Sequence, residues 1–202
     1  MSITNGYCTL AELRERLQFT ATDVTDDSML ESVVAAVSRW IDKYTGRRFY
    51  AATETRYYKA DDASLLRVDD LLSITSLGTD SDGDRTYEYT WASTDYDLEP
   101  ANAATDGEPY TRIALAPQGR YSFPVGMAKG VKIVGSFGYA ATTPATIKEA
   151  CLLQCERLYK RKDAPFGVLG SADMGQMMVV PKLDPDVQMQ LGSFQRVGVL
   201  GV

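Results

Sequence analysis

The stretch DDSMLESVVAAVSRWIDKYTGRRF, residues 26–49, predicts a long amphipathic helix near 27–45. Its apolar residues recur at intervals of three and four, which places them on one face of a helix. They are Leu30, Val33, Val34, Val37, Ile41 and Tyr44. A carboxylate of Asp26 or Asp27 is expected to cap the first turn. Gly46 is expected to take the left-handed conformation that ends such helices.

Trp40 lies slightly off the centre of this apolar face. Large aromatic side chains are mostly buried, so Trp40 can widen the core face of the helix. Tryptophan is also enriched where protein subunits meet, so a subunit contact is the alternative interpretation of Trp40. The sequence leaves both interpretations open.

Two further helices are expected on either side of the middle of the chain. Thr9 and Glu12 have the spacing of a capping box, which predicts a helix near 9–18. Pro144 suits the first turn of a helix, and the apolar pattern after it predicts a helix near 144–162. Together with the long helix, these segments predict a three-helix body.

Between the helices, the period of the apolar pattern changes from 3.6 to 2, which is typical of β-strands. Strands are expected at 53–59, 65–68, 71–77, 87–91, 112–115 and 131–139. Gly83 predicts a hairpin turn, and Gly135 and Gly138 predict a bulge or the close approach of another backbone. Long loops are expected at 92–110 and 116–130.

The C-terminal part of the chain has Gly and Pro throughout and no clear period, yet it carries many large apolar residues. Disordered tails are poor in such residues, so we predict an extended tail that docks onto another molecule. The predicted fold class is therefore α+β. It comprises a helical body (1–49 and 141–163), a sandwich-like or barrel-like β-rich insertion (50–140) and the tail (164–202).

The composition is that of a soluble globular protein, with 45% hydrophobic and 24% charged residues. The sequence has no apolar run long enough for a membrane span, and its first residues do not resemble a signal peptide. Cys151 and Cys155, four residues apart in a helical pattern, are interpreted as small core residues rather than metal ligands. With Cys8 they make an odd number of cysteines, which favours synthesis in a reducing compartment.

The chain contains no histidine, which removes the commonest general base and the commonest metal ligand. A Ser-His-Asp or Cys-His enzyme is thereby excluded. The acidic residues Asp80, Asp82, Asp84 and Glu88 lack the spacing of a calcium-binding loop and predict a solvated turn. No catalytic, metal or cofactor site is predicted, and the chain is not expected to be an enzyme.

Charge is distributed unevenly along the chain. Residues 61–109 hold thirteen acidic and two basic residues, a net charge of −11, whereas the remainder carries +5. The acidic region is unsuited to binding nucleic acid, which requires Lys and Arg. A basic group at the end of the third predicted helix suits a solvated helix end or the acidic residues of another copy.

Five stretches taken together resemble the head–tail connector (adaptor) proteins of long-tailed phages and of phage-like gene-transfer particles. They are TLAELRERL (9–17), IDKYTGRRF (41–49), GSFGYA (135–140), PATIKEACLL (144–153) and RLYKRKDAPFGV (157–168). The resemblance covers essentially the whole chain, and none of these stretches is a catalytic motif.

This resemblance implies a structural protein of the virion neck, made in the cytoplasm of the host bacterium. Such proteins form a ring, typically of twelve copies, beneath the portal; the ring extends the DNA channel and joins the head to the tail. The implied partners are the portal protein, a stopper or tail-end protein, further copies of the chain, and passing DNA contacted without sequence specificity.

Two sets of candidate contact residues follow. Because the C-terminal segment of such proteins commonly reaches the portal, the candidate portal-binding residues are Met178, Val179, Val180, Leu191, Phe194, Arg196 and Val197. The candidate subunit contacts are Trp40, Arg47, Arg48, Arg157, Lys160 and Arg161. Two alternatives are a stopper or tail-end completion protein, and a carbohydrate- or receptor-binding module that uses Tyr87, Tyr89, Trp91 and Tyr96.

Overall fold

The chain divides into two compact units, a helical unit (1–47 with 143–202) and a sheet unit (48–142). The computed structural model describes residues 3–20, 24–163, 168–169, 178–179 and 184–196. The protein is thus of mixed helix and sheet class, and its sheet unit is inserted between two helical segments of the sequence. No helix within the described ranges combines the length and the apolar character needed to cross a bilayer.

The helices are α1 (Leu10–Arg16), α2 (Asp27–Thr45), α3 (Ala103–Asp106), α4 (Ala145–Lys160) and α5 (Pro185–Gly192). A short 3₁₀ turn, Arg161–Asp163, follows α4. The strands are β1 (Ala52–Tyr58), β2 (Leu65–Thr79), β3 (Tyr89–Thr90), β4 (Tyr96–Glu99), β5 (Tyr110–Leu115), β6 (Val131–Phe137), β7 (Val168–Leu169) and β8 (Met178–Val179). The helical unit contains α1, α2, α4, α5, β7 and β8, whereas α3 belongs to the sheet unit.

The first two helices begin differently. At α1 the predicted capping box is confirmed: the Thr9 hydroxyl accepts from the Glu12 backbone N–H at 3.2 Å, and the Glu12 carboxylate accepts from Thr9 N–H at 2.8 Å. At α2 the predicted aspartate cap is wrong, because Asp26 makes no capping bond with its side chain. Its carboxylate instead accepts from Lys162 Nζ at 2.6 Å, and Asp27 pairs with Arg14 at 2.7 Å.

The end of α2 and its buried face agree with the prediction. Gly46 has φ +68° and ends the helix in the left-handed region. The buried apolar residues of α2 are Leu30, Val34, Val37 and Ile41. Each contributes about 1.5–3 kcal/mol by leaving water, so α2 is the centre of the helical core. Val33 and Tyr44, on the flanks of this face, are only partly buried.

The predicted extended tail is wrong for residues 184–196, where the chain forms α5 and folds back on its own unit. The Asp184 carboxylate accepts from Asp186 N–H at 2.9 Å, and Pro185 occupies the first turn. Val187 and Leu191, one helical turn apart, are fully buried, and α5 packs on α4. The three-helix body is therefore not confirmed, because a further helix completes it.

The sheet unit is an open antiparallel sheet of six strands, not the predicted sandwich or barrel. Its order is β1-β6-β2-β5-β4, with β3 paired to β2. The two strands predicted at 65–68 and 71–77 form one continuous strand of fifteen residues, β2. The predicted loop 92–110 is also wrong in part, since β4 pairs with β5 and α3 follows it.

Glycine allows two close backbone approaches in this sheet, as predicted. A Cβ at Gly135 would overlap the Ser73 carbonyl oxygen and lie 3.3 Å from Ile74 Cα. Gly138, at φ +144°, would place a Cβ only 2.9 Å from the Tyr50 carbonyl carbon. Opposite Gly135 the register of β2 shifts between Ile74 and Ser76, which marks a bulge or irregularity there.

Candidate assembly surfaces

The residues predicted to bind a portal lie in different environments. Leu191 is fully buried within its own unit, so it can contact another protein only if α5 leaves α4. Phe194 and Arg196 are partly buried, and Arg196 N–H donates to the Thr45 carbonyl at 2.9 Å. The segment after α5 is thus held at the end of α2.

The remaining four predicted portal contacts are less defined. The backbones of Met178 and Val179 form β8, which pairs antiparallel with β7. Val180 and Val197 lie outside the described residues. Sequence reasoning missed Met189 of α5, which is 75% exposed. A helical register that places Val187 and Leu191 inward would have pointed Met189 outward.

Arg157, a predicted subunit contact, is used within the chain. Its guanidinium donates to Asp184 at 2.7 Å, and its side chain is only 16% exposed. This ion pair links α4 to the residue that caps α5. Lys160 is different, because its side chain is 67% exposed and its partner, Glu156, lies on the same helix at 2.6 Å. Arg161 is partly buried.

Arg48 and Arg47 are also less available than the sequence suggested. Arg48 donates to the carboxylate of Glu54 from both terminal guanidinium nitrogens, Nη1 and Nη2, at 2.7 and 3.0 Å. Arg56 joins this group, 2.8 Å from Glu54 and 2.9 Å from Asp69. Arg47 is partly buried. The Arg48 guanidinium therefore organises the edge of its own sheet.

The carboxylate of Glu54 gives this network a pH dependence. Its hydrogen bonds from Arg48, and then from Arg56, lower the pKa of Glu54 below its usual value. A lowered folded-state pKa means that the pair stabilises the protein above the unfolded pKa, about 4.3. That stabilisation is lost as the pH falls through the folded pKa.

We expect Glu54→Gln to lower the free energy of unfolding near neutral pH by about 0.5–1 kcal/mol, since the pair is partly exposed. The deficit should shrink as the pH falls below the unfolded pKa of about 4.3, where the unfolded carboxylate takes up a proton, and it should vanish once the pH has passed the lower folded pKa. Urea unfolding near neutral pH and again at acidic pH measures this deficit. Glu108→Gln, a change at an exposed residue, is the control. A deficit that is equal at both pH values would contradict a role for the charge.

Trp40 stacks on Tyr44, with ring centroids 5.2 Å apart and an interplanar angle of 29°. Both rings are partly buried and flank the inward face of α2. Val33, also partly buried, lies on the same side of the helix, about two turns before Trp40 and three turns before Tyr44. We call Val33, Trp40 and Tyr44 the α2 outer stripe. Partly buried aromatic residues fixed by stacking are suited to a subunit contact.

In the sheet unit, the acidic turn is arranged around one buried residue. The Asp80 carboxylate accepts from the backbone N–H groups of Gly83 at 2.7 Å and Arg85 at 3.0 Å. Asp82 and Asp84 are exposed, as expected for a solvated turn. The buried carboxylate of Asp80 is thus already hydrogen-bonded by backbone N–H groups of the turn itself.

The aromatic residues proposed for carbohydrate binding do not form one exposed platform. Trp91 is buried and stacks on Phe123, with centroids 4.6 Å apart. Tyr89 is 44% exposed, and Tyr87 and Tyr96 are partly buried. Tyr89 does line a cleft of about 360 Å³, but the aromatic set is divided between core and surface.

No protein-family model and no curated protein matches this chain. Among solved structures, it is similar to a chain of the neck of an empty gene transfer agent particle, computed with C6 symmetry. The TM-score is 0.59 and the identity 19%, over 100% of this chain and 96% of that one. A chain from the virion of a native gene transfer agent particle matches with a TM-score of 0.55 and 18% identity, over the same shares. The resemblance to proteins of phage-like gene-transfer particles is thus confirmed at the level of the fold.

Proposed function

We propose that this chain is a structural component of a particle neck, a head–tail connector (adaptor) that joins a portal to the tail. The observation that carries the proposal is the fold match over the whole chain and 96% of a neck protein. Because the match is complete, it spans the helical unit and the sheet unit alike. Its role is structural rather than enzymatic, since the neighbours are particle proteins.

We further propose that the chain assembles into a ring of twelve copies. The gene transfer agent neck that contains the similar chain was computed with C6 symmetry. A ring of twelve copies is compatible with that sixfold rotation. In a ring, each copy presents one surface to the preceding copy and a different one to the next. Trp40, in the α2 outer stripe, is the proposed anchor of one surface. Lys160 and Arg161 are proposed to meet acidic residues of a neighbouring copy.

The exposed side of α5 with Met189, and the partly buried Phe194 just after α5, replace Leu191 as the proposed portal contact. DNA passing through the ring is proposed to meet the acidic region 61–109, whose net charge of −11 disfavours binding of phosphates. The other proposed partner is a stopper or tail-end protein below the ring.

Mixing the purified chain with a cognate portal tests this function directly. Mass photometry should show a complex with twelve copies of the chain on each portal ring, and negative-stain images should show added density on one face. Crosslinking from a photoreactive residue at position 189 should then label the portal. Labelling of a tail protein instead supports the stopper or tail-end alternative, and a chain that binds neither overturns the proposal.

We expect Trp40→Ala to abolish ring formation while leaving the monomer folded. Truncation of an aromatic hot spot costs about 2 kcal/mol or more per interface, and a closed ring repeats that loss at every contact. The measurement is ring yield by mass photometry, alongside circular dichroism of the monomer. Lys43→Ala, an exposed change one helical turn away, is the matched control. Equal ring yields for the two variants would remove Trp40 from the interface.

A further inference from the structure

Three thiols separated widely in the sequence meet inside the helical unit. Cys8 precedes α1, whereas Cys151 and Cys155 lie one turn apart on α4. The Cys8 and Cys151 sulfurs are 3.6 Å apart, and those of Cys151 and Cys155 are 3.9 Å apart. All three residues are buried free cysteines, and their sulfurs all lie within 4.8 Å of one another.

These separations suit a shared metal ion. With Zn–S bonds of about 2.3 Å and tetrahedral angles, two sulfurs on one zinc ion are about 3.8 Å apart. The hydroxyl of Ser38 lies 3.7 Å from Cys151 Sγ, so a candidate for the fourth ligand atom stands beside one of the three sulfurs. Ser38 Oγ donates to the Val34 carbonyl and accepts from Tyr7 N–H, bonds that fix its position and leave a lone pair.

We propose that Cys8, Cys151 and Cys155 form a binding site for one thiophilic d¹⁰ cation such as Zn²⁺. Binding converts three thiols to thiolates and releases three protons to solvent, with no change of oxidation state. The fourth position falls to the Ser38 hydroxyl or to a water molecule. Soft thiolate ligands select zinc or copper(I) over magnesium or calcium.

The bound ion would fasten the segment before α1 to α4. It links residues 143 positions apart in the sequence. Such a link stabilises the folded chain, because the ligands come together only in the folded state. This inference is independent of the proposed role in a particle neck.

The test uses the full chain, purified with a phosphine reductant and titrated with Co²⁺ as a spectroscopic substitute for zinc. We expect one Co²⁺ per chain, thiolate-to-cobalt charge-transfer absorption in the near ultraviolet, tetrahedral d–d bands in the visible, and displacement of both by Zn²⁺. Cys8→Ala should weaken Co²⁺ binding by more than about 100-fold, beyond the loss caused by removing only a supporting group. Ser32→Ala, an exposed change on α2, is the matched control and should bind as the native chain does.

Native mass spectrometry of the unmodified chain keeps the test valid if Cys8→Ala fails to fold. One zinc ion per chain, lost when the thiols are alkylated, supports the site. A folded, reduced chain that binds neither Co²⁺ nor Zn²⁺ overturns it. Cobalt binding that Cys8→Ala leaves intact in a folded chain overturns it as well. So does a chain that forms a Cys8–Cys151 disulfide and, after reduction, binds no cobalt.

Discussion

Replacing Leu191 by alanine is expected to lower the free energy of unfolding of the helical unit by about 2–5 kcal/mol. Leu191 is fully buried, and with Val187 it forms the inward face of α5 against α4. Alanine at this position loses the transfer free energy of the removed methyl groups and leaves a cavity. A chain that ends after Pro165 should be destabilised further, because it loses both residues and the ion pair between Arg157 and Asp184.

Urea unfolding monitored by circular dichroism measures this effect. Met189→Ala is the matched control, since Met189 lies on the same helix and is 75% exposed. Its substitution should change the stability by less than about 0.5 kcal/mol. Equal and small effects of the two substitutions would mean that α5 is not docked in solution. In that case residues 184–196 would be available as the docking tail that the sequence suggested.

Gly138→Ala is expected to destabilise the sheet unit by about 3 kcal/mol or more, the sum of backbone strain and steric overlap. At φ +144° a residue with a Cβ is strained in any surroundings. The added methyl would also overlap the backbone of Tyr50, and a backbone group cannot rotate away as a flexible side chain can. The chain next to β1 would have to move.

Gly107→Ala separates the cost of backbone strain from the cost of steric overlap. Gly107 has φ +70°, but a Cβ there would meet no atom within 4 Å. This variant should therefore lose only the cost of the left-handed conformation, about 1–2 kcal/mol. Thermal unfolding of both variants measures the difference. If Gly138→Ala loses no more than Gly107→Ala, the close approach to Tyr50 relaxes without cost and the explanation is wrong.

The features that the sequence predicted correctly depend on neighbouring residues. The capping box at Thr9 and Glu12 and the left-handed Gly46 are set by residues within one turn of each other. The Asp26 cap failed because Lys162, 136 residues away, provides a stronger charged partner for the carboxylate. A single sequence does not reveal such a partner.

The candidate contact residues show the same limit. The sequence shows which candidate residues are basic and which lie on a predicted helix. It does not show that Arg157 pairs with Asp184 or that Arg48 pairs with Glu54. The inward face of α5 was present as Val187 and Leu191, after a capping Asp184 and Pro185. Only two apolar residues mark it, too few to establish a helical period amid glycine and proline.

The sequence by itself determined the limits of α2, the change to a strand period after it, and the exclusion of histidine chemistry. These follow from the spacing and identity of residues close together in the chain. Only the tertiary structure decided that β2 is continuous in an open sheet, that α5 covers α4, and that Cys8 meets Cys151 and Cys155. Each of these depends on packing between segments far apart in sequence, where the free energy of burial and pairing outweighs local preference.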